Sequence, residues 1–235
     1  MPSTEVKLGP LSQLYYDEVL KVRNPKFQIK MKSDSKLHLY ISKIVKSFNP
    51  DYMKSYITTI DGTMWLPSDP IPDENLLDIM VHEGIHDDDR MKLTSLIFDF
   101  LYLFPQTLCL ILVLAALFLV IFGLGWASLV CLILGLAFLA PIPAPFRFLF
   151  ELKAYRTSLI FTKYVWQSDP SRDRRIIDNI IAQLCTKLYY WCWPFKTHVA
   201  KLLGDESVLK SETYTHIFDF LKRHEMLNVE GKKIC

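Results

Sequence analysis

The sequence predicts an α+β fold, mainly helical, with a small β-sheet and an inserted two-helix transmembrane hairpin. Three observations carry that expectation. Apolar residues recur at helical spacing over most of the chain. An Asp61-Gly62 pair splits two β-prone runs. Two long uncharged stretches follow one another between Phe98 and Phe150. The 235 residues are 51% hydrophobic, which excludes a disordered protein, and the formal net charge is only +2. No arginine-rich arm interrupts the evenly spread basic residues, so nucleic acid is not the expected partner.

Taken in order, Leu11 to Val22 has the pattern of a short amphipathic helix, and Phe27 to Lys32 alternates as a half-exposed strand does. Ser35 to Phe48 returns to helical spacing. Tyr56 to Ile60 and Thr63 to Leu66 are β-prone runs around the Asp61-Gly62 turn. A proline-rich stretch, Pro67 to Pro72, then ends the strand, and Asp73-Glu74 place acidic groups at the start of a helix, where the dipole favours them. That helix is expected to run through Leu76, Leu77, Met80 and Val81 to His86. Asp87-Asp88-Asp89 follow, as a solvated loop, as the start of the next helix, or, in a functional role, as support for an imidazole or attraction of a cation. Beyond the apolar stretches, helices are expected over Arg147 to Trp166 and Arg172 to Trp191, with shorter ones around Leu202-Leu203 and Tyr214 to Leu221. The expected segments are 1–97, the hairpin 98–144, and 145–235.

The chemistry sits in His82-Glu83-Gly84-Ile85-His86. Histidines four apart share one helix face, so both imidazoles reach one metal ion, while the glutamate between them addresses a water on that metal. A catalytic zinc site needs a third protein ligand and an open position. Glu151 is the candidate, being the only glutamate between Glu83 and Glu206 and following the second apolar stretch. Two imidazoles and a carboxylate favour Zn2+.

The uncharged runs Leu101 to Phe122 and Trp126 to Ala140 are separated by Gly123-Leu124-Gly125; the first has the roughly twenty residues needed to cross a bilayer core, and the second reaches that length if Leu124 to Ile142 is counted. Joined at Gly123, they make a hairpin whose two ends emerge on one side, bringing Glu151 back toward His86. The competing reading is a buried helical pair. Arg90 and Lys92 precede the hairpin, Arg147, Lys153 and Arg156 follow it, and its turn carries no charge. The positive-inside rule then makes this an integral membrane protein with its catalytic part on the cytoplasmic side. Met1 to Glu5 lacks the pattern of a secretory signal, and five cysteines without a CxxC pair do not resemble a disulfide framework, in keeping with that side. Tyr102 and Trp126 fall where aromatic residues mark membrane interfaces.

This layout resembles the gluzincin metallopeptidases, most closely the integral-membrane branch containing the HtpX heat-shock proteases and the CAAX-processing proteases. The residues that carry the resemblance are His82-Glu83-Gly84-Ile85-His86, the apolar stretches, and Glu151-Leu152-Lys153-Ala154, which matches a Glu-x-x-Ala third-ligand helix. The resemblance implies a zincin-like domain, zinc held by His82, His86 and Glu151, Glu83 as general base, and a polypeptide substrate beside a lipid bilayer. The family has an aspartate four residues after the third ligand, where this chain has Tyr155. Tyr155 is then a candidate to hydrogen-bond a ligand or stabilise the oxyanion, against a plain packing role; Arg156 and His198 are the other oxyanion candidates. His198, His216 and His224 are expected to be surface or packed histidines. In zinc peptidases a strand beside the site commonly pairs with an extended substrate, and Thr63 to Leu66 is placed to be that edge strand.

Two other classes remain open. One is a non-catalytic, metal-stabilised membrane protein, a homo-oligomer or a subunit of a larger, viral, membrane-penetrating assembly. The other is a soluble zinc protein with a buried helical hairpin.

Overall fold

The computed structural model describes residues 6–46, 50–138, 140, 142–166, 170–186, 192–203 and 215–224. The fold is α+β: mostly helical, with one three-stranded sheet. It forms two compact units. The first comprises Met1–Asp87, Ile160–Gln167 and Ser211–Cys235; the second comprises Asp88–Leu159 and Ser168–Lys210.

In the first unit the chain opens with helix α1 (Pro10–Tyr15), whose proline sits in its first turn, and runs on through a π-helical turn (Tyr16–Leu20) into α2 (Lys21–Arg23). Strand β1 (Gln28–Met31) follows, then α3 (Lys36–Val45), capped by the Ser35 hydroxyl accepting from the His38 amide. Strands β2 (Thr58–Ile60) and β3 (Thr63–Leu66) form the expected hairpin. Its turn places Asp61 at φ 46° and Gly62 at φ 69°, and two left-handed residues in succession are what a tight two-residue hairpin demands.

The sheet order is β1-β3-β2, with β1 parallel to β3 and β2 antiparallel to it. Thr63 to Leu66 is therefore the central strand and not the expected edge. Ile29 pairs with Met64 on one side and Thr59 with Met64 on the other, so both hydrogen-bonding faces of β3 are taken within the sheet. The free edges belong to β1 and β2.

The core of this unit gathers Tyr15, Val19, Leu20, Phe27, Met64 and Leu66 with Leu77, Met80 and Val81 of helix α4 (Asp73–Leu93), closed by Phe161 and by Phe220 of α11 (Thr215–Arg223). The Tyr15 ring meets Phe220 edge-on at 5.2 Å. Asp73 begins α4 and also caps α1, its carboxylate accepting from the amides of Leu11 and Ser12, both at 3.1 Å. Lys32 is fully buried, its ammonium donating to the Tyr52 carbonyl at 3.0 Å and lying 3.7 Å from the Tyr52 ring centre. Burial lowers its pKa from 10.5 to about 8, and lowers that of neighbouring His38 as well.

The second unit holds α5 (Ser95–Tyr102), α6 (Gln106–Ile121), α7 (Gly125–Ala137), the start of α8 (Pro145–Trp166), α9 (Pro170–Cys185) and α10 (Lys196–Leu203). Leu188 and Trp191, within the expected helix after Arg172, lie outside the described residues, as does Tyr214. The core here is Ala144, Phe148, Leu152, Ile180, Leu184, Cys185, Cys192, Val199 and Leu203. Burial pushes the Cys192 thiol up to about 12, so it acts as a packed hydrophobe. Among the described residues Cys109, Cys131, Cys185 and Cys192 are free thiols.

The expected hairpin exists as α6 and α7, but both helices are shorter than predicted. Among the described residues no single helix is long and apolar enough to cross a membrane. Pro105 divides the first stretch, leaving α5 and α6 bent by 98°. Helix α7 ends at Ala137. The two antiparallel helices pack closely at Gly135, where an added Cβ would stand 3.3 Å from the Cys109 carbonyl. Ser128 donates to the Ala116 carbonyl at 2.8 Å, which satisfies the hydroxyl inside the seam.

Candidate metal centre

Helix α4 is anchored through its first half by Leu76, Leu77, Met80 and Val81, and the next turn carries His82 and His86. Their rings meet edge-on at 4.8 Å, and the two Nε2 atoms are 3.2 Å apart. That spacing fits two ligands of one tetrahedral zinc, which at bonds of about 2.0–2.1 Å sit roughly 3.3 Å from each other. His82, 9% exposed, and His86, 6% exposed, are largely removed from solvent, where a shared cation gains most.

Helix α8 carries Glu151, 1% exposed. His82, His86 and Glu151 form a cluster that could hold a metal ion, one ligand atom from each lying within 4.8 Å of the others. The donor set of two imidazoles and one carboxylate suits zinc.

The carboxylate is held from its own side. Tyr102 donates its hydroxyl to Glu151 Oε1. Phe98 stacks on the Tyr102 ring at 5.6 Å, and the Arg147 guanidinium lies 5.4 Å from it while its Nε donates to the Tyr102 carbonyl at 2.9 Å. Tyr102 had signalled only a membrane-interface aromatic in the sequence; its hold on Glu151 spans 49 residues and leaves no local pattern.

Asp87, Asp88 and Asp89 correct another expectation. The helix does not stop at His86 but continues to Leu93, and all three aspartates are buried. Each needs compensation inside the protein. Asp87 accepts from the Asn24 amide at 2.8 Å, and Asp89 forms an ion pair with Lys153. Arg90 and Lys92 in the last turn oppose the negative end of the helix dipole. Arg90, expected as a flanking charge, is buried beside Asp99 at 3.2 Å with its guanidinium over the Phe98 ring.

Glu83 is half-buried, and among the described residues it has no hydrogen-bond or ion-pair partner. Tyr155 donates its hydroxyl to Gln183 of α9 and packs against the core of the second unit. Exposed His198 accepts from the Trp193 indole at 3.1 Å, His216 contacts Arg23, and His224 meets Glu18 at 2.9 Å. None of these three histidines belongs to the metal-competent group among the described residues. No protein-family model, curated protein or solved structure matches the chain.

Proposed function

We propose that this chain is a membrane-anchored zinc endopeptidase, a zincin-like hydrolase of the gluzincin type with its catalytic part on the cytoplasmic face. The observation that carries the reading is the His82–His86–Glu151 group with Glu83 next to it in sequence, half-buried and without a hydrogen-bond or ion-pair partner among the described residues. His82 and His86, through Nε2, and Glu151 would hold a zinc ion, which would supply Lewis acidity to a water and to the scissile carbonyl. Glu83 takes the proton of the attacking water on its carboxylate and passes it to the leaving amine nitrogen. Tyr102 keeps Glu151 in one rotamer, so the carboxylate is oriented before substrate arrives. An extended peptide substrate would pair with a free edge at β1 or β2, since β3 is already paired on both sides.

Glu83→Gln should retain bound zinc by elemental analysis while cleavage of an unfolded casein substrate drops about a hundredfold to ten-thousandfold. Retained cleavage in that variant would falsify the mechanism.

The deep burial of Glu151 and the central position of β3 favour a second reading, in which the metal fastens two helices in a non-catalytic subunit of a larger membrane assembly. Wild-type protein that binds zinc stoichiometrically yet cleaves no polypeptide would establish it.

A further inference from the structure

Helix α6 is apolar on every side, and no acidic, basic or histidine side chain occurs between Asp99 and Arg147. Such helices belong either in a protein interior or in lipid. Yet Leu110, Leu114, Leu117, Phe118 and Ile121 of α6 are exposed, as are Leu129, Ile133 and Leu136 of α7. Only small groups, Ala116, Ser128 and Gly135, are buried along the seam between the two helices. The tip is as apolar as the shaft: Phe122, Leu124 and Trp126 are exposed there, Trp126 at 76%.

Length and angle narrow the choice. The 16 residues of α6 and 13 of α7 rise about 24 Å and 20 Å, short of a hydrocarbon core of about 30 Å. Helix α5 differs in kind. It buries Phe98 and exposes Leu96, Ile97 and Phe100, and it turns 98° from α6. A helix lying in a membrane surface and continuing into one that plunges inward has that angle and that one-sided exposure. A protein partner would need a polar rim around the contact, and neither shaft nor tip has a charged one.

We infer that the hairpin enters a phospholipid bilayer from one face and ends inside the hydrocarbon, short of the opposite headgroups, with α5 lying in the interface it entered. This deepens the membrane-anchoring part of the proposed function and is independent of the catalytic part. The ends α5 and α8 are tied together where the hairpin emerges: Arg147 donates to the Tyr102 carbonyl at 2.9 Å and to Gln106 Oε1 at 3.1 Å. Along the shaft the Ser128 hydroxyl closes on the Ala116 carbonyl within the hairpin, as hydrocarbon requires, and Gln106 Nε2 and Thr107 Oγ1, which have no hydrogen-bond partner among the described residues, lie at its root.

The test is depth-dependent quenching of Trp126 in the full chain, reconstituted into phosphatidylcholine vesicles containing a minor share of phosphatidylglycerol. The lipids are brominated either near the headgroup or near the end of the acyl chain. Subtracting the signal of Trp126→Phe isolates this tryptophan from the other four of the five. The expected result is flotation with the vesicles and stronger quenching of Trp126 by the deep bromines. Stronger quenching by the shallow bromines would overturn the inference, showing a hairpin that crosses, while leaving membrane anchoring intact. No flotation, or a stable oligomer without detergent, would overturn both, a second copy then covering the apolar surface. In addition, Phe122→Asp at the exposed tip should weaken vesicle binding about a hundredfold with unchanged far-UV circular dichroism; unchanged binding contradicts tip insertion.

Discussion

The stretch His82–Arg90 and the hairpin of α6 and α7 invert the ordinary distribution of residues in opposite directions. Around the histidines, three aspartates and an arginine are buried; along the hairpin, leucines, isoleucines and phenylalanines face outward. Each inversion has a cost that the rest of the protein must meet. For the buried charges the compensation is internal and visible: Asn24 on Asp87, Lys153 on Asp89, Asp99 beside Arg90. For the exposed hydrophobes no cover is seen among the described residues. The buried polar stretch is thus compensated in part from within, Asp88 Oδ2, Asp89 Oδ2 and Arg90 Nε and Nη1 having no hydrogen-bond partner among the described residues, whereas the hydrophobic faces of the hairpin are left open there.

The sharpest way to break this comparison is at Glu151. Glu151→Ala should reduce zinc stoichiometry to background, and the milder Tyr102→Phe should lower affinity about 10–100-fold, both read by titration against a competing chelator. An unchanged affinity in Glu151→Ala would detach the carboxylate from the metal site and leave it an ordinary buried acid. Next is Lys153→Ala, which leaves Asp89 without its cation; urea unfolding should report a loss of about 1–3 kcal/mol, below the full range for a buried pair because Lys153 is partly exposed.

Lys32, another buried charge, offers a pH test. Between about 8 and 10.5 the unfolded chain holds the ammonium proton and the folded chain releases it. The unfolded state binding more protons, the Lys32 contribution to stability rises with pH across that window. Wild type should therefore gain stability relative to Lys32→Met between pH 8 and 9.5 in matched urea melts; parallel curves would mean that Lys32 titrates normally. The smallest effect is expected on the hairpin. Ile121→Ser should change the unfolding free energy of detergent-solubilised protein by no more than about 0.5 kcal/mol, because that side chain is 80% exposed among the described residues. A large loss would show that the hairpin surface is part of the fold after all.

What the sequence disclosed follows the range of the interactions involved. The Asp61-Gly62 hairpin, the alternating strand at Phe27 to Lys32 and the histidine-bearing helix are local patterns, and each appears where expected. The central place of β3 depends on pairing with β1, more than thirty residues upstream at Gln28 and Thr63, and such pairing leaves no local trace. The continuation of α4 through three aspartates likewise depends on Asn24 and Lys153, both about 63 residues away. Tyr102 belongs to the same class. The hairpin's length is different: Pro105 stood in the sequence as a break in the first apolar run, and hydropathy alone hid it.

The clasp made by Arg147 has a consequence in time. Its two acceptors, the Tyr102 carbonyl and Gln106, lie 45 and 41 residues upstream. At about 5–20 residues per second, Arg147 is added some 2–9 s after these acceptors, and about 0.5–2 s after Ala137 ends α7. Only in that last, shorter interval is the sequence of both helices complete while their root lacks its clasp. By order of synthesis the guanidinium is thus the last part of the hairpin's root to arrive.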